Sequence, residues 1–386
     1  MLDFTYRNPV KIIFGEGKIR DIDEEIPVDA TVLFLYGQGS IKGNGVYAQT
    51  IAALEGRDVI EFSGIEPNPT YEKAMEAVEI VREKGIDFIL AAGGGSVIDA
   101  AKFIAVAAKF SDGDPWRILT GAPVHDALSL GVILTLPATG SEMNPNAVMN
   151  RKSSADKLYF STPLVYPEFS VLDPTTTYSL PPEQTANGVV DAFVHVMEQY
   201  LTFPVNAPLQ DRMAEGILLT LIEEGPKALE HPKDYDVRAN VMWSATLALN
   251  ELIAQGVPED WSTHLIGHQI TALHGLDHAR TLAIVLPAVM EVEQDKKREK
   301  ILQYAQRVWG IDTAGIGEEK AIEQAIERTR AFFQGLGLET RLRDYGIDGS
   351  CIPPIIGKLK EHGMTGLGEH GSIDPNTSRE ILERCL

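Results

Sequence analysis

The sequence predicts an α/β protein of two domains: a doubly wound, mainly parallel sheet over residues 1–180, then an all-helical domain over 181–386. Three observations carry this. Short β-rich runs alternate with helical segments through the first half, joined by short loops, which is the pattern of strand–helix–strand crossovers. Two of those runs, Thr31–Tyr36 (TVLFLY) and Asp87–Ala92 (DFILAA), are apolar throughout rather than alternating, as strands covered on both faces are. From about Pro181 the strand signals stop and helical periodicity takes over.

Taken in order, Lys11–Phe14 reads as a strand ending at Gly15. Thr31–Tyr36 runs into Gly37-Gln38-Gly39-Ser40, followed by a helix over Val46–Leu54 and a strand over Asp58–Phe62. After the rigid turn Glu66-Pro67-Asn68-Pro69, Thr70 has the hydroxyl and the position of an N-cap for a helix to about Glu83. Asp87–Ala92 passes into Gly93-Gly94-Gly95-Ser96 and a helix from Val97 to about Ala108. Gly131–Leu136 is a further strand, ending in Pro137-Ala138-Thr139-Gly140-Ser141-Glu142. The stretch 143–175 is irregular, with a hairpin (Ala147–Asn150 against Lys157–Phe160) and a last strand at Phe169–Leu172. Leu180-Pro181-Pro182 marks the hinge, and helices are expected at 183–201, 208–229, 235–254, 259–273, 280–307, 317–335, 354–363 and 377–385. No internal repeat or low-complexity segment interrupts them.

Composition narrows the function. A chain of 386 residues with 44% hydrophobic and 23% charged content has ample material for two packed cores. Its net charge of −21 argues against nucleic acid or an anionic membrane as the main partner, because both select clustered basic surface. The only cysteines, Cys351 and Cys385, rule against a disulfide framework or a thiolate zinc site and suit a reducing compartment. The opening run MLDFTYRNPVKIIFGEG lacks the apolar centre of a signal peptide, and no apolar run approaches the ~20 residues a membrane helix needs. A cytoplasmic location is expected.

Two strand ends carry chemistry. At Gly93–Ser96 the lack of side chains lets a ligand approach the backbone, and the following helix offers N–H groups and a positive dipole end, a combination that binds phosphate. Neither the GxGxxG nor the Walker pattern is present. A tight connection alone would also account for such glycines. Gly37-Gln38-Gly39-Ser40 belongs to the same carboxyl edge, and two Gly-rich turns on one edge suit a dinucleotide that spans both. Thr139 and Ser141 add hydroxyls there. An acid at the end of a strand holds the adenosine ribose of NAD in many such folds. Here Gly37, Gly39 and Ser40 stand in its place, with Lys42 nearby, which favours NADP(H) over NAD(H).

In the second half, Gly188-Val-Val-Asp191-Ala-Phe-Val-His195 reads as a helix with Asp191 and His195 on one face. A buried hydrogen-bonded pair would explain them; so would half of a metal site. His264 and His268 share another helical face, and His274-Gly275-Leu276-Asp277-His278 lies at that helix's end. The HxxxH spacing lacks the glutamate of metalloproteases. Even so, Asp191, His195, His264 and a histidine just beyond the loop make a three-His, one-carboxylate set suited to Fe²⁺ or Zn²⁺.

These motifs together resemble the iron-containing (group III) alcohol dehydrogenase family, in its butanol dehydrogenase and NADPH-dependent aldehyde reductase branch. The resemblance runs from Pro9–Gly15 through Pro67–Thr70, Gly93-Gly94-Gly95-Ser96-Val-Ile-Asp99, Leu136–Glu142 and Asn187–His195 to His264-x3-His268-x9-His278. It implies a Rossmann-like first domain and a helical second one, an architecture shared with dehydroquinate synthase. It implies the metal ligands Asp191, His195, His264 and His278. Cofactor contacts are implied at Gly37, Gly39, Ser40, Gly94, Gly95, Ser96, Asp99, Thr139 and Ser141. His268 matches a histidine near the nicotinamide and becomes the candidate proton relay, while His274 is read as structural. The family's Pro-His-Gly is Asp277-His278-Ala279 here, a departure in the loop around the fourth ligand. The activity implied is reversible reduction of a small aldehyde to a primary alcohol with NADP(H) and Fe²⁺ or Zn²⁺, in a homodimer without nucleic-acid or membrane partners. Glycerol dehydrogenase- or dehydroquinate synthase-like chemistry is the alternative. A sugar-phosphate substrate calls for basic residues that the segments around Asp191 and His264 lack.

Overall fold

A computed structural model describes residues 1–386. The strands are β1 (Lys11–Phe14), β2 (Thr31–Tyr36), β3 (Asp58–Phe62), β4 (Phe88–Gly94), β5 (Ser129–Leu136), β6 (Asn146–Arg151), β7 (Asp156–Ser161) and β8 (Phe169–Leu172). Six form one sheet in the order β1-β8-β5-β4-β2-β3, every pairing parallel, and β6 and β7 form the separate antiparallel hairpin. Both faces of the sheet are covered. Val32, Phe34 and Tyr36 pack with Ile19, Ile22, Phe88, Leu90 and Val171. Leu33, Leu35 and Ile89, pointing the other way, are equally buried. That two-sided burial is why TVLFLY does not alternate.

Helices α1 (Val46–Ala53), α2 (Tyr71–Lys84) and α3 (Gly95–Lys109) make the crossovers. Thr70 caps α2 by accepting the Lys73 N–H, and Gly85 ends it in the left-handed conformation. Strand β4 continues through Gly94 and α3 begins at Gly95, so the Gly-rich segment is not a loop but a direct strand-to-helix switch.

The rest of the chain is helical: α4 (Pro182–Tyr200), α5 (Pro208–Glu230), α6 (Tyr235–Ala248), α7 (Ser262–His274), α8 (His278–Val292), α9 (Arg298–Arg307), α10 (Thr313–Ile316), α11 (Glu318–Gly335), α12 (Ile352–Glu361) and α13 (Pro375–Arg384). Helix α4 is buried on every side from Thr185 to Tyr200. Ile266 and Ile270 of α7, Ile284 and Val285 of α8, Ile355 of α12 and Ile381 of α13 form one apolar cluster. The continuous helix expected over 280–307 is broken at 293–297, a run of five polar residues of which Glu293 and Lys297 are buried and held by specific partners. The helix expected over 235–254 stops at Ala248, after which the Asn250 side chain accepts the Leu252 N–H in a turn.

The chain forms two compact units. One comprises 7–181 with 232–246; the other comprises 1–6, 182–231 and 247–386. The division into 1–180 and 181–386 expected from sequence differs at two places. The first six residues pack with the helical unit, where Leu2 donates to the Gly256 carbonyl, and most of α6 packs with the sheet unit. Thr246 on α6 donates to the Glu142 carboxylate. Neither connection has a local pattern that periodicity could detect.

Candidate metal centre and cofactor-binding edge

Within the helical unit, three elements deliver the four proposed ligands. Asp191 and His195 lie one turn apart on α4, each 3% exposed. His264 and His268 lie one turn apart on α7, both buried. Gly275, in the left-handed conformation, ends α7 so that the chain reverses and His278 opens α8. Asn187 donates to the Asp277 carboxylate, tying the altered loop to α4.

The Nε2 atoms of His195, His264 and His278 stand 3.7, 4.0 and 3.8 Å from Oδ1 of Asp191. Those distances are too long for hydrogen bonds. They match the edges of a coordination shell, where ligands about 2.1 Å from a tetrahedral ion are roughly 3.5 Å apart. Asp191, His195 and His264 are also the buried trio whose donor atoms all lie within 4.8 Å of one another. The His195 and His264 rings stack at 4.6 Å, which brings both Nε2 atoms to the same side. Three imidazoles and one carboxylate, without thiolate, are donors for Fe²⁺ or Zn²⁺, and the group fits. His268 stays outside this set in ring contact, 5.0 Å from His278 and 6.2 Å from His264 between centroids. His274 is exposed at the end of α7.

The sequence pattern did not single out Glu198. It follows Asp191 and His195 at helical spacing on the same face of α4, 2% exposed, and its Oε2 meets Nδ1 of His264. Its Oε1 accepts the Thr263 N–H at 2.6 Å. Burial, and after it the charge of Asp260, pushes the Glu198 carboxyl well above its usual range; a cation beside His264 opposes that push. Spacing could have found this residue, since positions 191, 195 and 198 are one helical stripe.

In the sheet unit, β2, β4 and β5 are neighbours, so Gly37–Ser40, Gly94–Ser96 and Thr139 come together at adjacent carboxyl ends. The order of connections reverses between β2 and β4, the position where such folds bind ligands. Gly39, at φ +103°, faces open space, and Ser40 is exposed. The central glycines have a packing reason as well. A Cβ on Gly95 would lie 2.5 Å from Thr139, one on Gly93 2.4 Å from Val97, and one on Gly94 2.9 Å from Leu136. They let the strand-to-helix switch sit directly against the loop after β5, leaving the α3 N-terminus at the edge.

Asp99 and Ser141 are placed differently from open ligand contacts. Asp99 is buried, accepts from Ser141 Oγ at 2.6 Å and from the Val148 N–H at 3.0 Å, and burial raises its carboxyl. The fully buried Lys102, which the sequence pattern also left unmarked, donates to Ser141 Oγ and to the Asn144 and Asn146 carbonyls, each at 2.8 Å. Together they brace the edge. Lys42 lies over the Tyr47 and Tyr36 rings and 4.0 Å from Glu61, which accepts both tyrosine hydroxyls.

Known proteins share both the sequence and the architecture. Residues 9–174 match the model of the iron-containing alcohol dehydrogenases, and residues 185–364 match that of the C-terminal domain of the Fe-containing alcohol dehydrogenase family. The chain is 58% identical over 386 residues to the NADPH-dependent aldehyde reductase YqhD of Escherichia coli (strain K12), covering 99% of each. It is 41% identical to the probable NADH-dependent butanol dehydrogenase 1 of Bacillus subtilis (strain 168), covering all of both. Among solved structures, the NADH-dependent butanol dehydrogenase A of Thermotoga maritima is similar at a TM-score of 0.95 and 36% identity, over 100% of this chain and 99% of that one.

Proposed function

The chain belongs to the iron-containing alcohol dehydrogenase family, and on that premise we propose how its own residues divide the work of an aldehyde reductase. The protein is an oxidoreductase that interconverts primary alcohols and aldehydes with NADP(H) and a divalent metal. When bound, the metal polarises the carbonyl and NADPH supplies the hydride. Asp191, His195, His264 and His278 hold the ion; one carboxylate and three neutral imidazoles leave the centre net positive, which the charge developing on oxygen requires. His268 is the imidazole placed to pass a proton to that oxygen without being a ligand.

Gly37, Gly39 and Ser40 receive the adenosine end of the cofactor, and Gly94, Gly95 and Ser96 its pyrophosphate at the α3 N-terminus. No carboxylate stands at the end of β2 to repel a 2′-phosphate. Thr139 seats the nicotinamide half, while Asp99 and Ser141 serve the cofactor from behind by fixing the β5 loop. Zn²⁺ fits the same donors as Fe²⁺. No helix is long and apolar enough to cross a membrane. Free, buried Cys351 and Cys385 suit a cytoplasmic enzyme, and a homodimer is the assembly expected of it.

The observation that carries this reading is the convergence of three Nε2 atoms on one buried aspartate oxygen. Its test is metal analysis of anaerobically purified protein, with NADPH and NADH oxidation followed on butanal and other small aldehydes. One ion per chain and aldehyde-dependent oxidation, faster with NADPH, are expected. Absence of any aldehyde-dependent rate in metal-loaded protein would overturn the reading.

A further inference from the structure

We propose that Glu198 is a positioning residue: it fixes which nitrogen of His264 presents a lone pair to the metal. The inference rests on the assignment of His264 as a ligand. A neutral imidazole carries one N–H, so the nitrogen that binds a metal must be the bare one. In His264 it is Nε2 that faces Asp191 Oδ1, at 4.0 Å. The proton must therefore sit on Nδ1, and Nδ1 needs a partner that only accepts. A carboxylate oxygen of Glu198, Oε2, is the atom that meets it.

The carboxylate has no freedom to turn away. Its second oxygen is held by the N–H of Thr263, the residue before His264. The Glu198 carbonyl accepts the Asp260 N–H at 2.9 Å, and Asp260 Oδ1 accepts the Ser262 N–H at 2.7 Å, where α7 begins. Behind them Lys297, its side chain 3% exposed, joins Asp260 Oδ2 at 2.6 Å, Glu369 Oε2 at 2.7 Å and the Leu201 carbonyl at 2.7 Å. One buried lysine thus ties the end of α4 to the start of α7, the two helices that bear Glu198 and His264. Asp191, Glu198, Asp260 and Glu369 are four nearly buried carboxylates with Lys297 between the last two.

A merely structural buried pair and a tautomer-setting carboxylate predict opposite results for Glu198→Gln. Glutamine keeps the shape and can still accept from Thr263, but it turns an NH₂ towards Nδ1. His264 then becomes the acceptor there and protonates Nε2, the ligand atom. Zn²⁺ titration of chelator-stripped protein against a competing indicator should show affinity falling about 10- to 100-fold. The metal-free variant should keep its circular dichroism and melt close to metal-free wild type, because glutamine keeps the side-chain shape and the bond from the Thr263 N–H. Glu198→Asp, which restores an acceptor, should recover part of the affinity.

Unchanged Zn²⁺ affinity in Glu198→Gln, with wild type binding one ion per chain, overturns this inference and leaves the ligand assignment standing. Wild type that binds no ion overturns both. Should the variant fail to fold, ¹⁵N-histidine NMR of Zn²⁺-loaded wild type decides instead. His264 protonated at Nδ1 and metal-bound through Nε2 is expected, and the reverse tautomer refutes the role.

Discussion

His268 lies one turn from a proposed ligand on the same helix and 5.0 Å from another in ring contact, and the role proposed for it is to carry a proton rather than to bind metal. His268→Ala should lower kcat by about 10- to 100-fold, since water can replace part of a general acid's contribution, and should change the pH dependence of turnover. Metal content should stay at wild-type level; its loss would make His268 a ligand. A different pH response is expected of Glu142. Its Oε1 accepts from Thr246 at 2.6 Å, and burial raises its carboxyl above the ordinary 4.5. The folded state therefore holds this proton to higher pH than the unfolded chain does. Stability is fully present below the ordinary value and is lost as pH rises through the folded one. Glu142→Gln should match wild type in Tm below pH 4.5 and exceed it as the pH rises above that value. Parallel melting curves across that range would contradict this.

At the scale of elements, the junction of β4 and α3 has a packing role beside the binding role proposed for it. The methyl of Gly95→Ala would meet Thr139 Cγ2 and Oγ1 at 2.5 Å. Overpacking of this kind costs about 1–3 kcal/mol. It should also raise KM for NADPH, because the loop after β5 and the α3 N-terminus are pushed apart, with bound metal unchanged. An unaltered KM would leave these glycines a packing role alone. The break between α8 and α9 belongs to the same scale. Periodicity carries across 293–297, but Lys297 turns inward to meet Asp260 and Glu369, partners distant in sequence. Propensity yields there to a tertiary ion cluster.

Across the whole molecule, the proposed metal ligands and the proposed cofactor contacts fall in different compact units, so removing the metal should be felt unevenly. A ligand at a hundred times its Kd stabilises the state that binds it by about 2.7 kcal/mol. Chelation should lower Tm and speed hydrogen exchange in α4, α7 and α8, while the amides of β2, β4 and β5 keep their protection. Uniform loss of protection across both units would show that the metal does not act through the helical ligand set.

The sequence by itself determined the parallel sheet, because strands buried on both faces must be apolar throughout, and β8 was legible to the residue. It also determined the stripe of Asp191 and His195 on α4, since positions four apart in a helix share a face whatever surrounds them. The resemblance of the motifs named the family. Tertiary structure decided the rest. Nothing local attaches residues 1–6 to the helical unit or α6 to the sheet unit, and nothing local says that Lys297 is buried. Asp99, named through the resemblance, and Ser141, on the edge after β5, were both expected near the cofactor; what only packing decides is that they bond to each other, with Lys102 on Ser141. Glu198 shows the boundary most clearly. Its place on the stripe was written in the chain, but its use depends on which histidine nitrogen lies opposite, and only the crossing of α4 and α7 sets that.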